Sequence, residues 1–291
     1  MLRTRRLTPW LYLTPMVLLL LFVFAYPIVL VFDFSTKRVR GADGPFIGID
    51  NYTSIFRDPV FSEAVLHSAL LLLAVPLLIG ISLVVAAVLH DRIPGWQVYR
   101  TIVFIPFILA IPIVATVFGN LLQLNGALNQ TLRSVGLDGV ARDWIGDPSL
   151  TLWTLMAIII WREVGFGIIL FSARMAALSP EIEEAAKIDG AGWWSRLRFV
   201  TVPQMKPVIE FYTIISIITI LSAVFAYVFV LTRGGPGTAT QVLELYIFNY
   251  AFRNSLPGVA AAVAVLLFVL TVILILPLFR ARAQARLDEM E

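Results

Sequence analysis

The chain has 291 residues, of which 59% are hydrophobic and 14% charged, with a mean hydropathy of +0.88. That composition excludes a soluble domain of this size and indicates a polytopic membrane protein. There is no cysteine and the histidines are His67 and His90, which excludes a disulfide framework, a thiolate metal site and a histidine metal cluster; the net charge of +3 matters only through its distribution over the loops.

A helix that crosses a bilayer needs about 20 mostly apolar residues. Six stretches qualify, at about residues 10–32, 63–89, 101–123, 150–173, 208–231 and 257–279. The expected fold class is all-α, with six transmembrane helices in a single domain over residues 1–291. The longer loops fall at about 33–62, 124–149, 179–207 and 232–256. Arg3, Arg5 and Arg6 precede the first span as they would in a signal peptide. The apolar run after them is too long for one and has no small-residue cleavage site, so the span is expected to be retained. Gly41, Asp43, Gly44 and Pro45 make the first long loop a turn-rich connector.

Pro15, Pro27, Pro76, Pro106 and Pro112 lie inside apolar runs, where each frees a backbone carbonyl that neighbours must satisfy. Curved, packed helices are the expected result. Asn120, Gln123 and Asn125 give the third span a polar end. In the fourth span Trp161, Arg162 and Glu163 are followed by Gly165, Phe166 and Gly167. A charge inside a bilayer costs about 2.5–3.5 kcal/mol on insertion scales, and such groups usually face a bundle interior or a watery cavity. Neighbouring helical residues point about 100° apart. Arg162 and Glu163 are therefore not expected to face each other, and at least one is expected to look into a cavity.

The longest polar interruption in the second half of the chain, residues 179–207, divides the fourth span from the fifth. Ser179 suits a helix cap, Pro180 the first helical position, and Glu181, Glu183 and Glu184 the positive end of the helix dipole. Gly190 supplies the stop, and Ala191 and Gly192 permit a sharp turn. A second short helix from Trp193 to about Thr201 is expected to end at Pro203. Ile182, Ala185, Ala186 and Asp189 share one face, whose small side chains allow another surface to come close. The alternative is an amphipathic helix lying on lipid. In the fifth span Ser216, Thr219, Ala223 and Tyr227 recur near helical spacing. Either they line a path, or the hydroxyls bond to nearby backbone. Ala260, Ala261, Ala262 and Ala264 allow close helix contact in the last span.

Lysine and arginine cluster on one side of the spans, with Arg3, Arg5, Arg6, Arg92, Arg100, Arg174, Lys187, Arg196, Arg198, Lys206, Arg280, Arg282 and Arg286. The other side has fewer: Lys37, Arg38, Arg40, Arg57, Arg133, Arg142, Arg233 and Arg253. The positive-inside rule then places both termini and the 179–207 loop in the cytoplasm. No GxxxxGK[ST], HExxH or GxSxG pattern occurs, so this chain is not expected to be an enzyme or to hold a metal or nucleotide.

Glu184, Ala185 and Ala186, then Asp189, Gly190 and Ala191, then Val202 and Pro203, resemble the EAA signature of permease subunits of type I ABC importers. The resemblance implies that Glu181, Glu184, Ala185, Ala186, Asp189, Gly190 and Ala191 belong to a cytoplasmic coupling helix seated in a groove of a separate ATPase subunit. Tyr26, Pro27, Phe34, Ser35, Phe46, Ile47, Gly48, Asn51 and Tyr52 look like the carbohydrate-type branch, and Gly126, Asn129, Leu132, Gly136, Leu137 and Trp144 follow a similar family order. Leu231, Thr232, Gly234, Gly235 and Pro236 resemble the first permease of a heterodimeric pair.

By the same resemblance, Arg162, Glu163 and Phe166 fall where maltose-type permeases line their substrate cavity, which implies that Trp161 or Phe166 stacks on a sugar and Arg162 or Glu163 bonds to its hydroxyls; a structural ion pair with the sister subunit is the alternative. The implied assembly contains a second permease, two cytoplasmic ATPase subunits with ATP and magnesium, and an extracytoplasmic solute-binding protein. It would sit in the lipid of a bacterial or archaeal cytoplasmic membrane, with no cofactor in this chain and no nucleic acid. The implied solute is a sugar, an oligosaccharide or a related polyol or glycerol phosphate. A full charge pair departs from a plain neutral sugar pocket and leaves an anionic, amino or polyol-like solute open. The rival is an ion-coupled secondary transporter or channel working through Glu163 and Arg162, a class that tends to show inverted repeats, and none is evident here.

Overall fold

The computed structural model describes residues 4–41, 43–91 and 94–288, with side chains from 12 to 280. Arg3 and Arg92 of the basic set lie outside the described residues, as do the side chains of Arg5, Arg6, Arg282 and Arg286. The helices, in chain order, are α1 (Thr4–Leu20), α2 (Tyr26–Ser35), α3 (Asp50–Ile55), α4 (Pro59–Leu71) and α5 (Ala74–His90). Next come α6 (Trp96–Ile108), α7 (Ile111–Leu121), α8 (Ala127–Ser134), α9 (Thr151–Met175) and α10 (Pro180–Ile188). The last are α11 (Trp193–Arg196), α12 (Val202–Ile220), α13 (Val224–Leu231), α14 (Leu243–Phe248) and α15 (Pro257–Asp288). Among the described residues, five helices are long and apolar enough to span a membrane, or six if the bent pair α6–α7 counts as one.

The chain divides into two compact units, one running to Phe61 and including Tyr246–Val269, the other built on Ser62–Leu245. In the first unit, α1 and α2 join through a π-turn at Leu21–Ala25 that buries none of its apolar side chains, as a lipid-facing segment requires. The loop after α2 is anchored by Asn51, whose buried Nδ2 donates to the carbonyls of Ser35 and Lys37, both at 2.9 Å. Tyr52 donates to the Ser35 hydroxyl at 2.8 Å. A Cβ on Gly258 would lie 2.3 Å from the Lys37 carbonyl, so only glycine lets the start of α15 approach this loop. Asp58 accepts from the hydroxyls of Tyr246 and Tyr250 at 2.7 Å each. Burial raises its pKa, but those two bonds and one from the Val60 amide outweigh it and hold the carboxyl below its ordinary value.

In the second unit α9 packs against α5 and α6, and α12 against α5 and α9. Leu78, Ala86, Phe171, Met175, Met205 and Tyr212 form the shared core. Two glycines make this possible. A Cβ on Gly165 would meet the Val103 carbonyl of α6 at 2.6 Å, and one on Gly167 would meet Ser82 Oγ of α5 at 2.4 Å and the Tyr212 ring of α12 at 2.5 Å. Fully buried Asn129 donates to the carbonyls of Gln123, Leu124 and Arg142 and accepts from Trp144 Nε1 at 3.0 Å, which organises the 124–149 loop around one side chain.

Three expectations need correction. The third span is not one helix: α6 and α7 meet at 97°, because Leu109 and Ala110 are extended and Pro112 in the first turn of α7 cannot continue the α6 bonding. Pro203 does not end a helix. The helical path runs through a π-turn at Leu197–Thr201 into α12, where Pro203 occupies the first turn, a position whose N–H would have no acceptor within α12. The fifth span is in turn interrupted at residues 221–223, so Ser216 and Thr219 lie on α12, Ala223 in the break and Tyr227 on α13.

Candidate functional site: coupling helix and intramembrane charge pair

α10 has the bounds that its punctuation predicts. Pro180 opens it, Glu181 and Glu183 occupy its first turn, and Lys187 lies in its last. Glu184 sits further along. Ser179 is extended but makes no capping bond to the backbone; its hydroxyl lies 3.5 Å from Glu181 Oε2 instead. At the other end Gly190 adopts φ +77°, and the Ala191 amide donates to Ala186 O at 3.0 Å while the Gly190 amide donates to Lys187 O at 3.1 Å. This is a Schellman stop, which satisfies carbonyls that the helix end would leave open.

Glu181, Ile182, Glu184, Ala185, Ile188, Asp189 and Gly190 are exposed, whereas Ala186 and Ala191 are half-buried. Ile182 is 48% and Ile188 86% exposed, so the outward face carries bare apolar side chains flanked by carboxylates. That is the make-up of a docking surface. The inward side of α10 meets the end of α5, where His90 Nε2 lies 3.5 Å from Glu183 Oε2; just beyond the stop, Trp193 at the start of α11 donates through Nε1 to Asp91 Oδ2 at 2.7 Å. Neither tether is visible in the sequence, because its partners are far apart in the chain.

In α9, Glu163 is 8% exposed and pairs directly with Arg162, against the expectation from helix geometry. The long arginine side chain curls back toward its neighbour. Its Nε also donates to Leu109 O at 2.9 Å, a carbonyl freed at the α6–α7 break, and its guanidinium lies 5.4 Å from the centre of the Phe107 ring. Tyr227 donates to Glu163 Oε1 at 3.0 Å, and Tyr212 to the Glu163 carbonyl at 3.3 Å. The pair is thus satisfied within this chain.

Phe166 stacks on Phe107 with centroids 5.2 Å apart. Trp161 is half-exposed, packs edge-on against Phe118 at 5.0 Å, and lines a cavity of about 550 Å³ with Phe118, Trp144 and Trp153. Ser216 is buried with no hydrogen-bond partner for its hydroxyl, Thr219 is half-buried, and the Ala223 amide donates to Thr219 O at 2.8 Å. The structure therefore brings Arg162, Glu163 and Tyr227 together, and leaves Trp161 on a separate aromatic wall. Asn120 is exposed and donates to Thr116 O at 2.9 Å, while exposed Gln123 and Asn125 lend their carbonyls to Asn129 and Gln130. Glu244 carries another signal that sequence reading missed: Oε1 is buried without a partner, and burial pushes the carboxyl up to about 7.

An exposed, glycine-stopped helix on a loop between candidate spans, with a buried charge pair bracing a bent span, is the architecture of a multi-pass membrane protein with a docking loop. Residues 55–287 match the family described as the inner membrane component of binding-protein-dependent transport systems, and the chain belongs to that family as a permease subunit of an ABC importer. It is 31% identical to the probable ABC transporter permease protein YurN of Bacillus subtilis (strain 168), covering 94% of this chain and 95% of that one. It is 34% identical to the lactose transport system permease protein LacF of Rhizobium radiobacter, over 84% and 83% of the two chains. The fold matches a chain in the crystal structure of a bacterial ABC transporter that imports the acidic polysaccharide alginate, with a TM-score of 0.83, 23% identity, and coverage of 97% and 96%.

Proposed function

We propose that this chain pairs with a second, similar permease to enclose the path of a sugar, oligosaccharide or related polyol or glycerol-phosphate solute. The lactose permease among its relatives supports the carbohydrate class. Two cytoplasmic ATPase subunits, which carry the ATP and magnesium, engage α10 through Glu181, Glu184, Ala185, Ala186, Asp189, Gly190 and Ala191. This chain contributes no catalytic group and no cofactor. An extracytoplasmic solute-binding protein delivers the substrate. The two units work as one permease domain in a bacterial or archaeal cytoplasmic membrane, with both termini inside.

The observation that carries this reading is the exposed apolar face of α10, which ends at a glycine stop and is joined to α5 by His90 at Glu183, with Asp91 holding Trp193 just after the stop. A helix tethered to α5 passes movement of a docked partner into the bundle, and a partner drives such movement only by contacting the two states differently. Within the bundle, Trp161 and Phe166 offer aromatic faces to sugar rings, Ser216, Thr219, Ala223 and Tyr227 border the path, and Arg162 with Glu163 fixes the shape of its wall. The test is uptake of labelled lactose and a panel of oligosaccharides into proteoliposomes, with the binding protein outside and ATP inside. Uptake is expected only when both permeases and the ATPase subunits are present. Uptake driven by an ion gradient without ATPase subunits would overturn the reading.

A further inference from the structure

The second unit contains a concave site used by neither the charge pair nor the outward face of α10. A hollow of about 280 Å³ opens where the end of α5, the first turns of α6, the last turns of α9 and the start of α10 meet. Its polar lining is mostly donors: the Arg100 guanidinium, the His90 ring, the Trp96 indole and the Ser172 hydroxyl, with Glu183 as the acidic member. Arg100 is exposed, and its side chain has no ion pair or hydrogen bond among the described residues. Ser172 Oγ is buried with no partner, although a helical serine ordinarily bonds to a carbonyl one turn back. An unmet buried hydroxyl is costly and calls for a ligand atom. The Glu183 charge is already offset by Lys187 at 3.4 Å, so it does not oppose an incoming anion at full strength; His90 Nε2 lies 3.5 Å from it.

We infer that this hollow binds a phosphate group. A guanidinium presents a planar fork that matches phosphate oxygens two at a time, and the hydroxyl and ring N–H groups from other elements supply the remaining donors. The phosphate belongs either to an anionic lipid headgroup or to a soluble phosphate compound. In both cases it competes with Glu183 for His90, so occupancy loosens the contact that joins α10 to α5.

The test uses the full chain assembled with its partner subunits in nanodiscs. Because the sequence has no cysteine, Ala176→Cys places a single thiol of this chain in the lining of the hollow, and Ser134→Cys on α8 serves as an exposed control. Alkylation by N-ethylmaleimide, read as mass added to this chain, is compared in three settings: phosphatidylcholine, phosphatidylcholine with phosphatidylglycerol, and phosphatidylcholine with inorganic phosphate in place of chloride at equal ionic strength. The expected result is a slowing at position 176 of about fivefold, as for a ligand at about four times its Kd, with none at position 134. Arg100→Gln should abolish it. Slowing by phosphatidylglycerol alone identifies a lipid, and slowing by inorganic phosphate identifies a soluble ligand. No slowing in either setting, or slowing that survives both Arg100→Gln and Ser172→Ala, overturns the inference. Should Arg100→Gln fail to assemble, Ser172→Ala alone decides, with loss of protection supporting the site and full protection overturning it. A transporter that imports sugar normally yet shows no protection separates this failure from any failure of the transport reading.

Discussion

Arg162 resolves two demands of a low-dielectric interior with one side chain. The carbonyl of Leu109 at the α6–α7 break needs a donor, and the buried carboxylate of Glu163 needs a positive charge. A guanidinium has five N–H donors in a fixed plane and meets both at once, which a lysine ammonium at the same position would do poorly. Removing one member of a buried pair leaves an uncompensated charge and typically costs about 3–5 kcal/mol. Arg162→Ala should therefore lower the melting temperature of the assembled transporter by roughly 5–10 °C, because about 1 kcal/mol corresponds to a few degrees in a chain of this size. Adding Glu163→Gln should recover part of that loss, since the neutral amide still accepts from Tyr227. The check is a thermal melt of both variants beside the wild type, together with the KM for solute. An unchanged melt with a shifted KM would instead make Arg162 a substrate contact.

At the scale of elements, legibility followed the reach of the local chemistry. The bounds of α10 were readable because Pro180 and Gly190 punctuate it within the chain itself. The six apolar stretches were readable because the bilayer fixes their length. The 97° break was only half readable: Pro106 and Pro112 mark weakened bonding, but the angle depends on α7 packing against α13 and on Arg162 reaching across from α9. Pro203 was misread as a stop because a π-turn absorbs its missing donor, and the spacing of residues does not reveal such a turn. Asn51 and Asn129 are visible in the loop sequences, yet the bonds that make them anchors are set by folded backbone. Gly190 allows the sharpest test at this scale. Its φ of +77° is costly for a β-branched residue, by about 1–2 kcal/mol, while the space around a Cβ there is open. Gly190→Val should therefore act through the backbone alone, and Gly190→Asn, which tolerates that region, should be mild. The expected outcome for Val is a several-fold loss of sugar uptake with ATP hydrolysis retained. Equal coupling ratios for Val and wild type would show that the helix stop does not matter to coupling.

For the whole molecule, the open physical question is which face of the membrane each loop meets. Basic residues answer it statistically, and the structure shows what several of them do locally. Arg174 donates to Gln204 O at 3.3 Å, which joins the two ends of the 179–207 loop, and Arg196 donates to Ala191 O at 3.2 Å within it. Lys187, Arg198 and Lys206 lie in the same loop, and Arg198 sits 5.3 Å from the centre of the Phe199 ring. Such a cluster is hard to move across a membrane potential that is negative inside. The Asn129-centred loop, by contrast, carries only Arg133 and Arg142 as basic residues. This asymmetry predicts that α10 faces the cytoplasm and α8 the outside. With no native cysteine to interfere, Ser134→Cys should react with a membrane-impermeant maleimide in intact protoplasts. Ala185→Cys, exposed on α10, should react only after permeabilisation. Labelling of Ala185→Cys in intact cells would put the helix beyond the reach of any ATP-hydrolysing partner, and the coupling mechanism would fall with it.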